Sequence, residues 1–131
     1  MNILFVCKHN RFRSKVAEAL FNHYNKNSNI KVKSGGTTLG LNHSISLPAK
    51  EILVKKRIVL EKEQSQRIDE SLINWADKII IVADNVPKKI FPKNKVEIWP
   101  IPDALESDIP GIKERIKKIE SLVKKLIKSI S

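Results

Sequence analysis

The chain has 131 residues, 30% of them charged and 41% apolar, with few Gly or Pro. That length suits one domain with its own core, and the mixture argues against disorder. It carries 25 Lys and Arg against 14 Asp and Glu, a net charge of +11, and no apolar run near the roughly twenty residues of a membrane span. The N-terminus has neither the basic lead nor the small-residue cleavage site of a signal peptide. Cys7 is the single cysteine, so no internal disulfide can form and a cytoplasmic setting is expected. A basic chain attracts polyanions, but its lysines are spread out without interleaved aromatics. That pattern favours a solvated surface and ranks nucleic acid last among partners.

In chain order, Asn2 to Val6 reads as a short buried strand. Ser14 to Asn25 reads as a helix, with Val16, Ala17, Ala19, Leu20 and Tyr24 at compatible spacing. Ile30 to Lys33 alternates like a strand and is expected to stop at Ser34-Gly35-Gly36. Ser46 with Pro48 predicts a helix start running to about Lys55. Asp69 to Trp75 predicts a short helix. Asp77 to Ala83 is β-branched and continuous, the mark of a strand buried on both faces. Asp84 to Phe91 predicts a short helix or turn cut by Pro87 and Pro92. Val96 to Trp99 is a further strand, closed by Pro100 and Pro102. Finally Asp108 and Pro110 open a helix. Its apolar residues, Ile109, Ile112, Ile116, Ile119, Val123, Leu126 and Ile130, step by three and four. This stripe suits packing onto a sheet better than a coiled-coil seam. The alternation of strands and helices predicts an α/β fold, a parallel sheet with helices on both faces.

The chemistry concentrates between the first strand and the first helix. Cys7 and Arg13 are separated by five residues and followed by Ser14. A thiolate nucleophile needs stabilisation at working pH. The N–H groups of the following helix, an anion nest of loop amides, the Arg13 fork and the Ser14 hydroxyl can each supply it. The same donors suit the oxygens of a phosphoryl group in transfer. Ser14 is also a candidate helix N-cap. His9, His23 and His43 have no metal-type spacing with Cys7, and no metal or cofactor is expected.

At these residues the chain resembles the low-molecular-weight protein tyrosine phosphatases, which carry a Cys-x5-Arg-Ser loop directly after the first strand. Further segments are similar to that family. Ser34-Gly35-Gly36-Thr37 follows the second strand, and Ser65-Gln66-Arg67-Ile68 precedes the third helix. Ala76 to Asp84 resembles the third strand with its closing Asp, and Trp99-Pro100-Ile101-Pro102-Asp103 resembles the approach to the general acid. The resemblance implies a single flavodoxin-like domain over 1–131 with a four-stranded parallel sheet. It implies a protein tyrosine phosphatase without cofactor, acting on a phosphorylated protein or small phosphomonoester as a monomer or weak dimer. Cys7, Arg13 and Asp103 are then catalytic. Lys8, His9, Asn10, Arg11, Phe12, Arg13 and Ser14 hold the phosphate, and Asn10 with Ser34 steadies the loop.

In that scheme Cys7 forms a cysteinyl-phosphate while Asp103 protonates the leaving oxygen, then activates water. A bell-shaped pH profile centred below neutrality is expected. The chain departs from the family pattern at several places. His9 stands for Gly, where an unusual backbone conformation is expected, Phe12 for a second loop Cys, and Lys15 for the Pro after Ser14. Leu39 and Leu41, with Ala104 and Leu105, stand where the family has aromatic walls. Lys8 and Arg11 are expected to make the mouth basic. An arsenate reductase using an external thiol and a non-catalytic phosphate- or phosphoprotein-binding module remain alternatives.

Overall fold

The computed structural model describes residues 1–130. The chain runs β1 (Asn2–Cys7), α1 (Arg13–Tyr24), β2 (Lys31–Gly36), α2 (Leu47–Lys55), α3 (Glu70–Trp75), β3 (Lys78–Val82), a 3-10 turn (Lys88–Ile90), β4 (Val96–Trp99) and α4 (Ile109–Ile130). The four strands are all parallel, in the order β2-β1-β3-β4.

Strand geometry explains the two apolar layers, because successive side chains point to opposite faces. In β1, Ile3 and Phe5 join Ile80 and Val82 of β3 in one core, together with Val16, Leu20 and Phe21 of α1 and the α4 stripe. Leu4 and Val6 join Ile79 and Ile81 in the other core, with Ala76, Val86, Phe91 and Val96, and with Leu72 and Ile73 of α3 at its edge. The central strands are covered on both sides, as their unbroken apolar runs require.

Helix α4 buries Ile112, Ile116, Ile119, Val123 and Leu126, so the three-and-four stepping is a core face. Ile109, at its start, stays exposed. Tyr24 of α1 donates to Glu120 of α4 at 2.7 Å. That hydrogen bond, with lesser help from burial, pushes the phenol up to about 12.

Three differences from the sequence expectation stand out. β2 continues through Gly35 and Gly36, which pair with Val6 and Cys7. The glycines extend the strand because neighbouring backbone lies against it: Gly36 N donates to Gln66 O at 2.8 Å and Gly36 O accepts from Ile68 N at 2.9 Å. Helix α1 begins at Arg13 with Phe12 at the cap position, so Ser14 is not the N-cap and its hydroxyl is free for another role. The expected helix or turn from Asp84 to Phe91 contracts to the single 3-10 turn. At α3, Asp69 does cap, accepting from Leu72 N at 2.8 Å.

The chain leaves β1 through α1 toward β2, then returns across β1 to β3. The strand order therefore reverses between β1 and β3, and a crevice opens at the carboxyl ends of those strands. Cys7 ends β1, and Asp84 and Asn85 follow β3. Ile101 to Asp103 follow β4, so one edge of the sheet collects every charged group proposed for chemistry.

Candidate active site

Residues 7–14 wrap tightly between β1 and α1. Asn10 carries the one left-handed backbone in the loop, with φ of 53°, a conformation Asn tolerates better than most side chains. His9 has no such strain; the unusual geometry expected there sits one residue later. Its ring Nδ1 instead lies 2.7 Å from Thr38 O, joining the loop to the segment after β2.

Asn10 is buried and fully engaged. Its Nδ2 donates to Ser14 Oγ at 2.7 Å and to Ser34 Oγ at 3.0 Å. Its Oδ1 accepts from Gln66 N at 2.9 Å, and its carbonyl accepts from Ser65 Oγ at 2.8 Å. Ser14 Oγ lies 2.8 Å from Cys7 Sγ. The loop carbonyls are occupied from outside: Cys7 O by Thr37 N, Lys8 O by Thr38 N, Arg11 O by Ser46 N and Phe12 O by Val16 N. In a trans peptide the N–H points opposite to the carbonyl. The N–H groups of residues 8, 9, 11, 12 and 13 therefore turn away from those partners, as an anion nest requires.

Arg13 is 2% exposed and held in place. Nη1 donates to Ile101 O at 2.9 Å and Nη2 to Asn85 Oδ1 at 3.1 Å. Asp84 and Asp103 lie 3.6 and 3.9 Å from its guanidinium. Asp103 is half-exposed, its Oδ1 accepting from Ala104 N at 2.9 Å. Cys7, His9, Arg11, Phe12, Arg13 and Asp103 line one small cavity of about 90 Å³, closed by Ser46, Ala104, Glu106 and Ile112.

The mouth is less basic than expected. Arg11 donates to Ser44 O at 2.9 Å and pairs with Glu106 at 2.9 Å. Lys8 is exposed and does not line the cavity. The lining carries Ala104, Ile112 and Phe12, the last of these also part of the buried core, rather than stacked aromatics. Among the described residues no cluster of His, Cys, Asp and Glu could hold a metal ion, and no helix is long and apolar enough to cross a membrane.

The model of the family described as low molecular weight phosphotyrosine protein phosphatase matches residues 2–131. The chain belongs to the low-molecular-weight phosphotyrosine phosphatase family. No curated protein matches it at a significant level. Among solved structures, arsenate reductase from Archaeoglobus fulgidus is 31% identical, over 95% of this chain and 98% of its own, with a TM-score of 0.82. The YwlE arginine phosphatase from Geobacillus stearothermophilus is 25% identical, covering 98% and 92%, with a TM-score of 0.85. A low molecular weight protein tyrosine phosphatase from T. tengcongensis, 23% identical over 99% of both chains with a TM-score of 0.87, shares the architecture.

Within this phosphatase fold, several site residues were not assigned roles by sequence reasoning. Ser65 clamps the Asn10 carbonyl with its hydroxyl and Gln66 clamps the Asn10 amide with its backbone N–H, and both come from a distant segment, so neither leaves a local residue-type signature. Asn85 holds Arg13; its only sequence signal is a polar residue just past a buried strand. Gly36 has a role beyond β2: a Cβ there would meet Lys8 O at 2.8 Å and Asn10 N at 3.0 Å, backbone that cannot yield without moving the loop. Gly36→Ala is expected to cut turnover by about tenfold or more while lowering stability by only about 1–3 kcal/mol. Paired turnover and thermal-melt measurements would separate these effects; unchanged turnover would show that the loop adapts.

Proposed function

We infer that the chain hydrolyses phosphate monoesters through a cysteinyl-phosphate, with tyrosine phosphate as the first substrate to test. The observation that carries this reading is the 2.8 Å contact between Cys7 Sγ and Ser14 Oγ, in a cavity also lined by Arg13 and Asp103.

In the first step a lone pair of the Cys7 thiolate forms an S–P bond. The bond from phosphorus to the leaving oxygen breaks, and that oxygen takes its electron pair and a proton from Asp103. Arg13 and the loop N–H groups hold the phosphoryl oxygens as charge spreads over them. In the second step water attacks phosphorus, the Asp103 carboxylate accepts its proton, and the S–P bond breaks to return the thiolate with inorganic phosphate. Half-exposed Asp103 can face both a leaving group and water. Ser14 accepts from Asn10, so its own proton is available to the sulfur.

Hydrolysis of para-nitrophenyl phosphate with chelator present tests the reaction, and phosphotyrosine, phosphoserine and phosphoarginine peptides then rank substrates. Phosphate binding without turnover would favour the binding-module reading. Arsenate-dependent thiol consumption would favour a reductase drawing on an external thiol, since Cys7 has no second cysteine to relay to.

The scheme needs the thiol ionised and the Asp103 carboxyl protonated in the same molecule. Asp103→Asn is expected to lose about 10²–10³-fold in turnover of poor leaving groups and far less with a good one such as para-nitrophenolate. Equal losses for poor and good leaving groups would remove Asp103 from the acid role.

A further inference from the structure

We propose that Lys15 is a positioning residue for the nucleophile, acting through Glu18 and a directed chain of hydrogen bonds that ends at Cys7. The proposal rests on the phosphatase reading but draws on a different part of the molecule, the buried layer behind the loop.

Lys15 is 1% exposed, although it is a lysine in the first turn of α1. Its Nζ donates to Lys62 O at 3.1 Å and lies 3.6 Å from Glu18 Oε1. The same Glu18 oxygen accepts from Ser34 Oγ at 2.6 Å. Ser34 Oγ accepts from Asn10 Nδ2, which also donates to Ser14 Oγ, and Ser14 meets Cys7 Sγ.

The direction of this chain follows from its ends. Asn10 Oδ1 accepts from Gln66 N, so the amide is oriented and Nδ2 is the donor toward both serines. The Ser34 proton goes to an ionised Glu18, which can only accept. That leaves a Ser34 lone pair for Asn10. Ser14, receiving the other Asn10 proton, has its own hydrogen left for the sulfur. Asn10 therefore fixes Ser14 as a donor to Cys7, which suits a thiolate, and an accepting Glu18 holds Ser34 in place behind Asn10.

Glu18 is mostly buried, and a carboxylate buried without a counter-ion is costly and is driven toward water, away from Ser34. Lys15 supplies the counter-ion. Burial pushes the Lys15 ammonium below the ordinary lysine range, against the pull of Glu18. Holding a cation there is costly, whereas an apolar side chain of similar volume would be cheap. Lys33, Glu61 and Lys62 line the groove beside Glu18, and Arg13, His9 and Asp103 share the Cys7 cavity. Of these, Lys62 acts on Lys15 by like-charge repulsion.

The test uses the full chain, whose one cysteine makes alkylation by iodoacetamide a single-site reaction read by intact mass. Lys15→Met is expected to alkylate about tenfold more slowly at pH 6, with kcat for para-nitrophenyl phosphate falling comparably and KM nearly unchanged. Lys15→Arg should restore most of both. The double variant Lys15→Met with Glu18→Gln should also recover, because an uncharged amide oxygen still accepts from Ser34 without a counter-ion. Wild-type alkylation and kcat in Lys15→Met would overturn the proposal, as would a double variant as slow as the single one. If Lys15→Met does not fold, the double variant decides alone: near wild-type rates support the chain and a tenfold loss refutes it. A shifted alkylation rate in a protein without phosphatase activity would sink the phosphatase reading while leaving the positioning role.

Discussion

Cys7→Ser is expected to lower hydrolysis of para-nitrophenyl phosphate by at least about 10⁴-fold, to near background. Oxygen replaces sulfur with little change in volume, so the loop should keep its shape and still bind phosphate. What disappears is an ionisable nucleophile: a hydroxyl holds its proton at any working pH, and the group beside it, Ser14, is itself a hydroxyl with no base character. Ser14 Oγ lies 2.8 Å from Cys7 Sγ, and among the described residues no histidine is hydrogen-bonded to the sulfur to remove a proton. His9 shares the cavity, but its Nδ1 is engaged with Thr38 O. Steady-state rates with chelator, together with phosphate titration of the variant, check both halves. Residual activity above about 1% of wild type would mean that another group attacks phosphorus.

Arg13→Lys is expected to cost about 10³-fold in kcat/KM with the positive charge retained. The guanidinium is held from behind by Ile101 O and Asn85 Oδ1, so its orientation is set before any anion arrives. A lysine ammonium is a point charge without the planar fork that matches two phosphoryl oxygens. It would also leave Asn85 or Ile101 without a donor, a buried loss of about 1–3 kcal/mol in stability. Kinetics and a thermal melt on one preparation separate the two effects. A loss below tenfold would show that charge alone, not the fork, carries the role of Arg13.

Both effects rest on residues that were legible before folding, and the reason is local. Cys7, Arg13 and Ser14 lie within one strand–loop–helix turn, so their spacing along the chain is nearly their spacing in space. The strands and α4 were legible too, because burial on two faces or one stripe leaves a periodicity in residue type. The end of β2 was misread because Gly35 and Gly36 resemble a turn. They stay in the strand only because Cys7 and residues 66–68 lie against them.

The sequence by itself determined the α/β class and placed Cys7, Arg13 and Ser14 in one strand–loop–helix turn, since both are written in residue type and local order, whereas Asp103 drew notice only through the resemblance to the family. Tertiary structure alone decided how the loop is held and what faces the substrate. Ser65 and Gln66 reach Asn10 from 55 and 56 residues away, and Asn85 reaches Arg13 from 72. Arg11 looks like free positive charge until Glu106 is found 2.9 Å from it. Lys15 looks like one more surface lysine until the fold buries it against Glu18. Hydrogen bonds and ion pairs between distant segments depend on direction and distance, and neither leaves a periodic trace along the chain.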